Sequence, residues 1–274
     1  MDSQLTERQA RWQEETAFFD HCAEEALTKV GPLDPLILKR YLRAPLRRRF
    51  SQEFRFSVLQ DFREKTFLDV GCGDGRNAVL LAKLGARVVG IDISPAAVEL
   101  ARKRARINGV QDATSFVCSP LEIVQFAPNS FDVIWGDAIL HHLIPVLETI
   151  LGRLVIWAKP GSTMLFAEPI NLSPTLRRLR QSLPIHTHAT PGERPLEARE
   201  INLIRRFVPN LALRPFALLG RLDRFFISDR SFERASLIRR QICSFLASID
   251  YGLLCLPGFR NLGGQAVMYG HPKK

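Results

Sequence analysis

The sequence predicts an α/β protein built on a doubly wound, mostly parallel sheet of seven strands, with helical additions at both ends. Between residues 66 and 169, short apolar runs of strand length alternate with helical segments. These runs are apolar throughout rather than at every second position, which is typical of parallel strands buried on both faces. A glycine-rich turn directly follows the first run. The pattern predicts a helical N-terminal cap or lid (1–65), a core (66–170), and a helical C-terminal cap that also supplies the last two strands (171–274).

The N-terminal segment is expected to be helical. Apolar residues between Trp12 and Ala26 recur near helical spacing, with Glu and Gln between them. The pair Gly31-Pro32 breaks this helix. A second helical region, from Pro35 to about Gln60, carries a run of basic residues.

The core elements follow in alternation. The helix RNAVLLAKLG is closed by Gly85, and the next helix begins at Ser94 as N-cap and ends at Gly109. A third helix is expected from about Ile144 to Ala158. The predicted core strands are TFLDVG, ARVVGID, TSFVCS, FDVIWGDA and STMLFAEP, and LALRPFALL and GGQAVMYGH are the sixth and seventh strands.

The composition is that of a soluble globular protein, with 274 residues of which 46% are hydrophobic and 24% are charged. Its first residues, MDSQLTERQARWQEE, lack the apolar core of a signal peptide. The most membrane-like segment, AILHHLIPVLETILGRLVIWA, is interrupted by polar and charged residues that are costly in hydrocarbon. We therefore expect a cytoplasmic protein without a membrane span. Five widely spaced cysteines predict neither a disulfide framework nor a zinc site.

The net charge of +10 is carried mainly by the flanks. Basic residues cluster at 39–49 and at 177–180, whereas the glycine-rich region is close to balanced. Such a flank can meet nucleic acid, an anionic membrane surface or an acidic substrate. It can also be an ordinary solvated face. Charge alone leaves these alternatives open.

The turn FLDVGCGDGRNA (67–78) limits the choice of ligand. A P-loop requires Lys-Ser or Lys-Thr after its last glycine, but Gly75 is followed by Arg-Asn. The dinucleotide fingerprint is not met either, because the third glycine comes one residue early. Asp69 and Asp74 would repel a diphosphate and suit an ammonium group, while the N–H groups at the helix start suit a carboxylate. Asp92, at the end of the second strand, is placed to accept two hydrogen bonds from a ribose diol. A ligand that joins an amino acid to a nucleoside in this way is S-adenosylmethionine.

These residues resemble the motifs of the class I S-adenosylmethionine-dependent methyltransferases, in particular the small-molecule, type 11-like group. Over about Phe67 to Pro169, LDVGCGDGRNA is similar to the first motif, VVGIDIS to the second, and FVCSPLE to the adenine-contacting loop. FDVIWGDAILHHL is similar to the fourth-strand motif, and WAKPGSTMLFAEP to the segment around the fifth strand. The resemblance implies a Rossmann-like core that binds S-adenosylmethionine, with Asp92 at the ribose and Ser119 facing the adenine amino group. The donor-binding residues that it implies are Asp69, Gly71, Cys72, Gly73, Asn77, Asp92, Ile93, Ser119, Leu121, Gly136 and Asp137.

The catalytic candidates follow strands four and five, because ligands of open α/β sheets bind at the carboxyl ends of the strands. His141 and His142 follow strand four, and one of them is expected to face the sulfonium end of the donor. Glu168 ends strand five and is a candidate base or a site for a cationic acceptor. A base is required only if the acceptor must lose a proton. His186 and His188 have no carboxylate or cysteine companion nearby, so no metal site is predicted.

The C-terminal cap is expected to select the substrate. The stretch RFVPNLALRPFALLGRLDRFFI is both apolar and basic, and Phe216, Phe225 and Phe226 are candidates for a pocket lining. This composition favours a small hydrophobic acceptor with an anionic group, such as a lipid-like, isoprenoid or aromatic metabolite. The expected reaction is in-line methyl transfer to that molecule. Peripheral membrane contact, the oligomeric state and the methylated atom (O, N, C or S) stay open.

Two other functions compete with this interpretation. A nucleic-acid methyltransferase is suggested by the charge, but the N/D-P-P-Y/F run of amino-methylating enzymes is replaced by WGDA at 135–138, and no Pro-Cys pair is present. A non-catalytic scaffold or membrane-surface adaptor of the same fold is disfavoured by the intact acids and glycines of the turn. A nicotinamide oxidoreductase is disfavoured by the glycine spacing and the anionic turn. We expect no nucleic-acid partner.

Overall fold

The computed structural model describes residues 2–42, 49–59, 61–174, 178, 193–227 and 232–274. The described residues of the N-terminal part include the helices α1 (Asp2–Leu27), α2 (Pro35–Leu42) and α3 (Ser51–Leu59). The prediction of one helical region from 35 to 60 was wrong, because residues 49 and 50 are not helical and α3 begins only at Ser51. The predicted helical region carries the basic run at 39–49. The arginines of that run that lie outside the described residues are Arg43, Arg47 and Arg48.

The core alternates strands with helices, as predicted. Its elements are β1 (Thr66–Val70), α4 (Arg76–Lys83), β2 (Arg87–Asp92), α5 (Pro95–Ile107), β3 (Thr114–Cys118), β4 (Phe131–Asp137), α6 (Leu147–Trp157) and β5 (Ala158–Pro169). Strand β5 starts earlier than the predicted Ser162, because Ala158 pairs with Phe131 ahead of a register shift in the β4–β5 ladder. A 3-10 turn, Ile144–Val146, precedes α6 where a regular helix was predicted.

The strands form one sheet in the order β3-β2-β1-β4-β5-β7-β6. Strands β1 to β5 are parallel, and β7 (Gln265–Gly270) runs antiparallel between β5 and β6 (Ala212–Phe216). The predicted doubly wound, mostly parallel, seven-stranded sheet is therefore confirmed. The strand order reverses between β1 and β4, and the crevice at such a switch point is where open α/β sheets bind their ligands.

Helices cover both faces of this sheet. Phe67 on β1 packs in one buried cluster with Leu80 of α4, while its neighbour Leu68 packs in a second cluster with Leu151 of α6. All four side chains are at most 1% exposed. This burial on both faces explains why the core strands are apolar at every position.

The helix boundaries follow local sequence signals. Ser94 caps α5 as predicted, with its Oγ accepting a hydrogen bond from the Ala97 backbone N–H at 3.0 Å. Gly85 and Gly109 follow α4 and α5 with φ of +98° and +63°, a left-handed conformation in which side chains with a Cβ are strained.

The C-terminal part adds α7 (Ala198–Phe207) and α8 (Leu237–Leu253) to the last two strands. Phe216 is a buried core residue of β6 that packs against Phe54 and Tyr251, so it does not line an open pocket. Phe225, in the 3-10 segment Gly220–Phe225, is 71% exposed. Among the described helices, none has both the length and the apolar character that crossing a membrane requires.

Candidate functional site

The glycine turn after β1 exposes backbone on one side only. Gly71, Gly73 and Gly75 all have positive φ, between +49° and +72°. A Cβ on Gly71 would lie 2.6 Å from the Ile139 side chain, and one on Gly75 would lie 2.6 Å from Ala101 of α5. A Cβ on Gly73 would meet nothing within 4 Å. Gly71 and Gly75 thus allow close packing, whereas Gly73 faces the space in which a ligand can approach the backbone.

Asp69 is the most unusual carboxylate at this edge of the sheet. It is 1% exposed, and its Oδ2 atom has no hydrogen-bond partner. Burial, followed by the charges of Asp137 and Asp92, raises the pKa of Asp69 well above its ordinary value. A buried carboxylate oxygen without a partner is costly unless a donor reaches it, so this atom is suited to a cationic group of a ligand.

Asp92 ends β2 and is held by the backbone of two neighbouring segments. Its two oxygens accept hydrogen bonds from the N–H of Gly73 at 2.8 Å and from the N–H of Ser94 at 3.0 Å. Burial raises its pKa, and these two hydrogen bonds oppose that increase. The carboxylate is therefore oriented by the glycine turn on one side and by the start of α5 on the other.

Asp74 does not act with Asp69 in the way the sequence suggested. Its Oδ2 atom forms an ion pair with Nη2 of Arg104 at 2.6 Å, and its Oδ1 atom accepts from the Arg76 N–H at 3.1 Å. Of the two acids of the turn, only Asp69 keeps an oxygen without a partner.

Asn77 and Asp137 meet below the turn, although 60 residues separate them along the chain. Asn77 Nδ2 donates to Asp137 Oδ2 at 3.0 Å, and Arg55 of α3 lies 2.9 Å from the same oxygen. Arg55 is 3% exposed and was not among the predicted residues. Gly136, next to Asp137, packs too closely against Phe166 for a side chain. An open cavity of 420 Å³ lies here, lined by Gln52, Cys72, Asp74, Arg76, Asn77 and Asp137.

The residues expected near the adenine lie on the far side of Asp92. The Ser119 N–H donates to the Asp92 carbonyl at 2.9 Å, which ties the loop after β3 to the end of β2. The Ser119 hydroxyl donates to the Pro120 carbonyl at 3.2 Å. Leu121 is 7% exposed and Ile93 is half-buried, so both offer apolar surface to a planar ring.

Helix α1 covers this side of the site. The sequence predicted a helical N-terminal cap but not the contacts that it makes here. Asp20 accepts from the Ser94 hydroxyl at 2.5 Å and from the Ala96 N–H at 3.0 Å, so α1 contributes to the cap of α5. Glu122 accepts hydrogen bonds from Arg11 and from the Trp12 indole. These contacts hold α1 against the loop that follows β3.

Glu15 of α1 faces the same acidic cluster. Burial raises the pKa of Glu15 to about 7; Arg11 opposes this increase, whereas Glu122 and Asp92 add to it. The side of the site that holds Asp69, Asp92 and Glu15, which we call the donor side, therefore gathers carboxylates from β1, β2 and α1.

At the carboxyl ends of β4 and β5, which we call the acceptor side, Glu168 is fully buried and its hydrogen bonds all go to one loop. Its Oε1 accepts from the N–H groups of Ile139 and Leu140 at 2.9 and 2.8 Å, and its Oε2 lies 2.8 Å from Nδ1 of His141. The loop starts at Ala138, whose φ of +56° is unfavourable for a residue with a Cβ. Glu168 thus holds a strained turn in the shape that brings His141 to the sheet edge.

His141 lies between two carboxylates. Its Nε2 is 3.1 Å from Oε1 of Glu193, a residue from the C-terminal part that was not predicted. Burial lowers the pKa of His141, but the hydrogen bonds and charges of Glu168 and Glu193 outweigh it, so the net pKa is raised.

His142 has the opposite titration behaviour. Burial and the adjacent His141 lower the pKa of His142 to about 4, although Glu193 opposes this. Its Nδ1 has no hydrogen-bond partner and lies 3.9 Å from Oε2 of Glu193. Its ring contacts Phe19 of α1 edge-on, with centroids 5.5 Å apart. The helix that covers the donor side thus also reaches the acceptor side.

The structure brings His141, His142 and Glu168 together. It also places Glu193 beside the two histidines, and the sequence did not indicate this carboxylate as a possible metal ligand. Ligand atoms of His141, His142 and Glu193 lie within 4.8 Å of one another, a spacing that a metal ion can bridge. Glu168 and Glu193 occupy the two ring nitrogens of His141. His186 and His188 lie outside the described residues.

Comparisons with known proteins identify a matching family profile and relatives of this chain. Residues 68–166 match the sequence profile of a family described as a methyltransferase domain. The chain is 35% identical over 102 residues to methyltransferase GfsG of Streptomyces halstedii, covering 37% of this chain and 36% of that protein. It is 32% identical over 168 residues to a ubiquinone biosynthesis O-methyltransferase of Methylocella silvestris, covering 58% of this chain and 63% of that protein. The chain thus spans less than two thirds of the length of either relative.

Solved structures show the same fold at low identity. A putative sarcosine dimethylglycine methyltransferase from Galdieria sulphuraria has a TM-score of 0.53 at 17% identity, over 81% of this chain and 84% of that one. The [4+2]-cyclase SpnF has a TM-score of 0.52 at 19% identity, over 78% of this chain and 76% of that one. Because one of these proteins is a cyclase, the fold by itself does not specify the reaction.

Proposed function

We propose that this chain is a class I S-adenosylmethionine-dependent methyltransferase that transfers a methyl group from S-adenosylmethionine to a small hydrophobic acceptor in the cytoplasm. The observation that carries the proposal is the pairing of two different sites on one sheet edge. An acidic donor side with an unpartnered Asp69 oxygen lies next to an acceptor side with the Glu168–His141–Glu193 chain. The names of the relatives from S. halstedii and M. silvestris support a small-molecule acceptor.

The donor-side residues fit S-adenosylmethionine. When bound, this molecule supplies a methyl group that is already activated on a positively charged sulfur. Asp69 would bind the ammonium and Asp92 would bind the ribose, and Gly73 would let the ligand lie close to the backbone. Ile93, Ser119 and Leu121 would enclose the adenine. Because Asp69 is buried and Asp92 is half-buried, negative charge on them is poorly screened by water and favours a cationic ligand.

The acceptor-side residues suit a hydroxyl that must lose its proton. We propose His141 as the general base: the acceptor hydroxyl takes the place of the Glu193 carboxylate at Nε2 and gives up its proton there, while Glu168 holds Nδ1. The carboxylates of Glu168 and Glu193 stabilise the imidazolium that forms. Glu168 is a positioning residue in this scheme, because it is fully buried and its oxygens bond to the 139–141 loop. His142 stays neutral and borders the acceptor beside Phe19.

The test is a methyl-transfer assay on the full chain, with release of S-adenosylhomocysteine as the readout. Phenolic acceptors with an isoprenoid tail are compared with polar phenols of the same ring and with structured RNA. We expect turnover with the tailed phenols, weaker turnover with the polar ones, and none with RNA. The Asp69→Asn variant should abolish turnover, whereas Asp112→Asn, an exposed acid away from the site, should leave it unchanged.

The competing functions give different results in the same assay. Turnover with RNA alone would establish a nucleic-acid methyltransferase. Donor binding without turnover on any acceptor would favour a scaffold, and absence of donor binding would contradict the whole proposal.

A further inference from the structure

The segment around α8 carries an unusual amount of exposed apolar surface. Eleven large apolar side chains are exposed in the described part of the chain, and seven of them lie between residues 222 and 259. Single exposed apolar residues are common on proteins, but a concentration in one segment marks an interaction surface. The seven are Leu222, Phe225, Leu237, Ile238, Phe245, Leu256 and Phe259.

Helix α8 has two apolar faces rather than one. Ile238, Ile242, Phe245 and Ile249 follow one another at spacings of four, three and four, which places them on one side of the helix. Ile238 is 70% exposed and Phe245 is 66% exposed, while Ile242 and Ile249 are half-buried. The buried residues of the helix, Cys243, Ala247 and Asp250, lie on the other side. We call the exposed stripe 238/242/245/249 the α8 surface.

The opposite side of α8 is firmly anchored to the protein. The carboxylate of Asp250, which is 3% exposed, accepts hydrogen bonds from the N–H groups of Leu218, Leu219 and Gly220, at 2.8 to 2.9 Å. Arg214 donates to the Tyr251 carbonyl and stacks 4.0 Å above the Tyr251 ring. The helix is therefore held in one orientation, with its other side packed on the protein and the α8 surface facing outwards.

The exposed charged residues on α8 and in the segment that follows it are basic, whereas the 3-10 segment before the helix also exposes Asp223. Between residues 232 and 262, the exposed charged residues are Arg234, Arg239 and Arg260, of which Arg234 pairs with Asp34. The two acids of this segment are not available to a partner, because Glu233 pairs with Arg40 and Asp250 is buried. A two-fold contact between copies of this chain would bring these arginines towards one another. An anionic surface would instead attract them while the apolar stripe enters it.

We propose that the α8 surface binds to anionic lipid membranes, with the helix lying parallel to the membrane plane. Ile238, Ile242, Phe245 and Ile249 enter the boundary between headgroups and acyl chains, and Arg239 remains at the headgroup level. The remainder of the chain stays on the water side of the membrane. This binding does not depend on the proposed methyl transfer, but it would place the protein next to a lipid-like acceptor.

The experiment is sedimentation of the full chain with phosphatidylcholine vesicles, with and without added phosphatidylglycerol, at low and at physiological salt. We expect binding to the anionic vesicles only, weakened by salt. The double variant Ile238→Asp/Phe245→Asp should reduce binding at least tenfold, and Arg239→Gln should reduce it less and lower its salt dependence. The matched control is Ile156→Asp, which changes an apolar residue that is 54% exposed elsewhere and should bind like the wild type. Thermal melting of each variant separates loss of the surface from loss of the fold.

Two outcomes would overturn the proposal. One is absence of binding to anionic vesicles at low salt by a wild-type chain that melts cooperatively. The other is equal binding by the double variant and the Ile156→Asp control. If the wild type is instead a dimer in sedimentation analysis, and the double variant is a monomer without any vesicle binding by either, the surface joins two copies of this chain.

Discussion

The donor and acceptor sides of the site lie at one sheet edge, but their buried carboxylates differ in how fully they are hydrogen-bonded. On the donor side, Asp69 is 1% exposed and keeps an oxygen without a partner. On the acceptor side, Glu168 is fully buried, but it receives backbone hydrogen bonds and the His141 ring. A buried carboxylate with an unused oxygen is suited to bind a ligand, whereas one whose oxygens are bonded to protein positions other groups.

The two sides also differ in where their residues come from. The donor-side acids Asp69 and Asp92 belong to neighbouring strands and are joined by the glycine turn. The acceptor side includes Glu193, which contacts His141 from 52 residues away along the chain. The donor side is thus mostly local in sequence, and the acceptor side depends on long-range contacts.

The largest expected effect comes from a substitution on the donor side. Asp69→Asn keeps the shape of the side chain but removes the charge that a cationic ligand requires. We expect the affinity for S-adenosylmethionine to fall on the order of 100-fold, about 2.7 kcal/mol. Isothermal titration calorimetry measures this loss. Since burial raises the pKa of Asp69, the variant should melt no lower than the wild type at pH 8. Unchanged affinity would show that Asp69 does not bind the donor.

The next effect tests the positioning role on the acceptor side. Glu168→Gln removes the charge that orients His141, and we expect kcat to fall about 100-fold while the donor Kd stays the same. The neutral imidazole accepts the proton, so activity should rise with pH through the His141 pKa. Glu168 helps to raise that pKa, and the rising limb should therefore shift to lower pH in the variant. Glu193→Gln, which leaves the Nδ1 contact intact, is the comparison and should cost less. A loss of donor affinity equal to the loss of kcat would contradict the separation of the two sides.

A smaller effect concerns the contribution of α1 to the donor side. The folded-state pKa of Glu15, about 7, lies above its ordinary value of 4.5, so ionisation of Glu15 destabilises the fold above pH 7 and has no effect well below pH 4.5. Glu15→Gln should therefore raise the melting temperature by roughly 2–4 °C at pH 8 and leave it unchanged at pH 4. Scanning calorimetry at the two pH values decides this. An equal increase at both would indicate a packing effect instead of a charge effect.

The smallest expected effect is that of a chelator. No metal site was predicted, and both ring nitrogens of His141 already have carboxylate partners. Dialysis against EDTA should change the methyl-transfer rate by less than about twofold, within the spread of the assay. Loss of activity that returns on addition of Zn²⁺ or Mg²⁺ would show that His141, His142 and Glu193 bind a metal ion.

Sequence patterns were reliable where one segment decides its own structure. The five parallel strands, the Ser94 cap and the left-handed glycines follow from apolar runs and local backbone preferences. Patterns failed where two distant segments compete. Strand β5 begins at Ala158 because β4 offers a partner there, and no local signal in Lys159-Pro160-Gly161 announces this. Arg55 and Asp20 looked like ordinary polar residues of N-terminal helices until the fold placed them against Asp137 and Ser94.

By itself, the sequence determined the sheet, the glycine turn and the acids at its edge, which we propose to face a cationic nucleoside ligand, because these depend on residues within one or two adjacent elements. Only the tertiary structure decided that Asp74 is neutralised by Arg104 and that Glu168 positions a loop. It also decided that Glu193 completes the acceptor side. Whether a carboxylate is free to bind a ligand depends on which donors surround it, and folding brings those donors from distant parts of the chain.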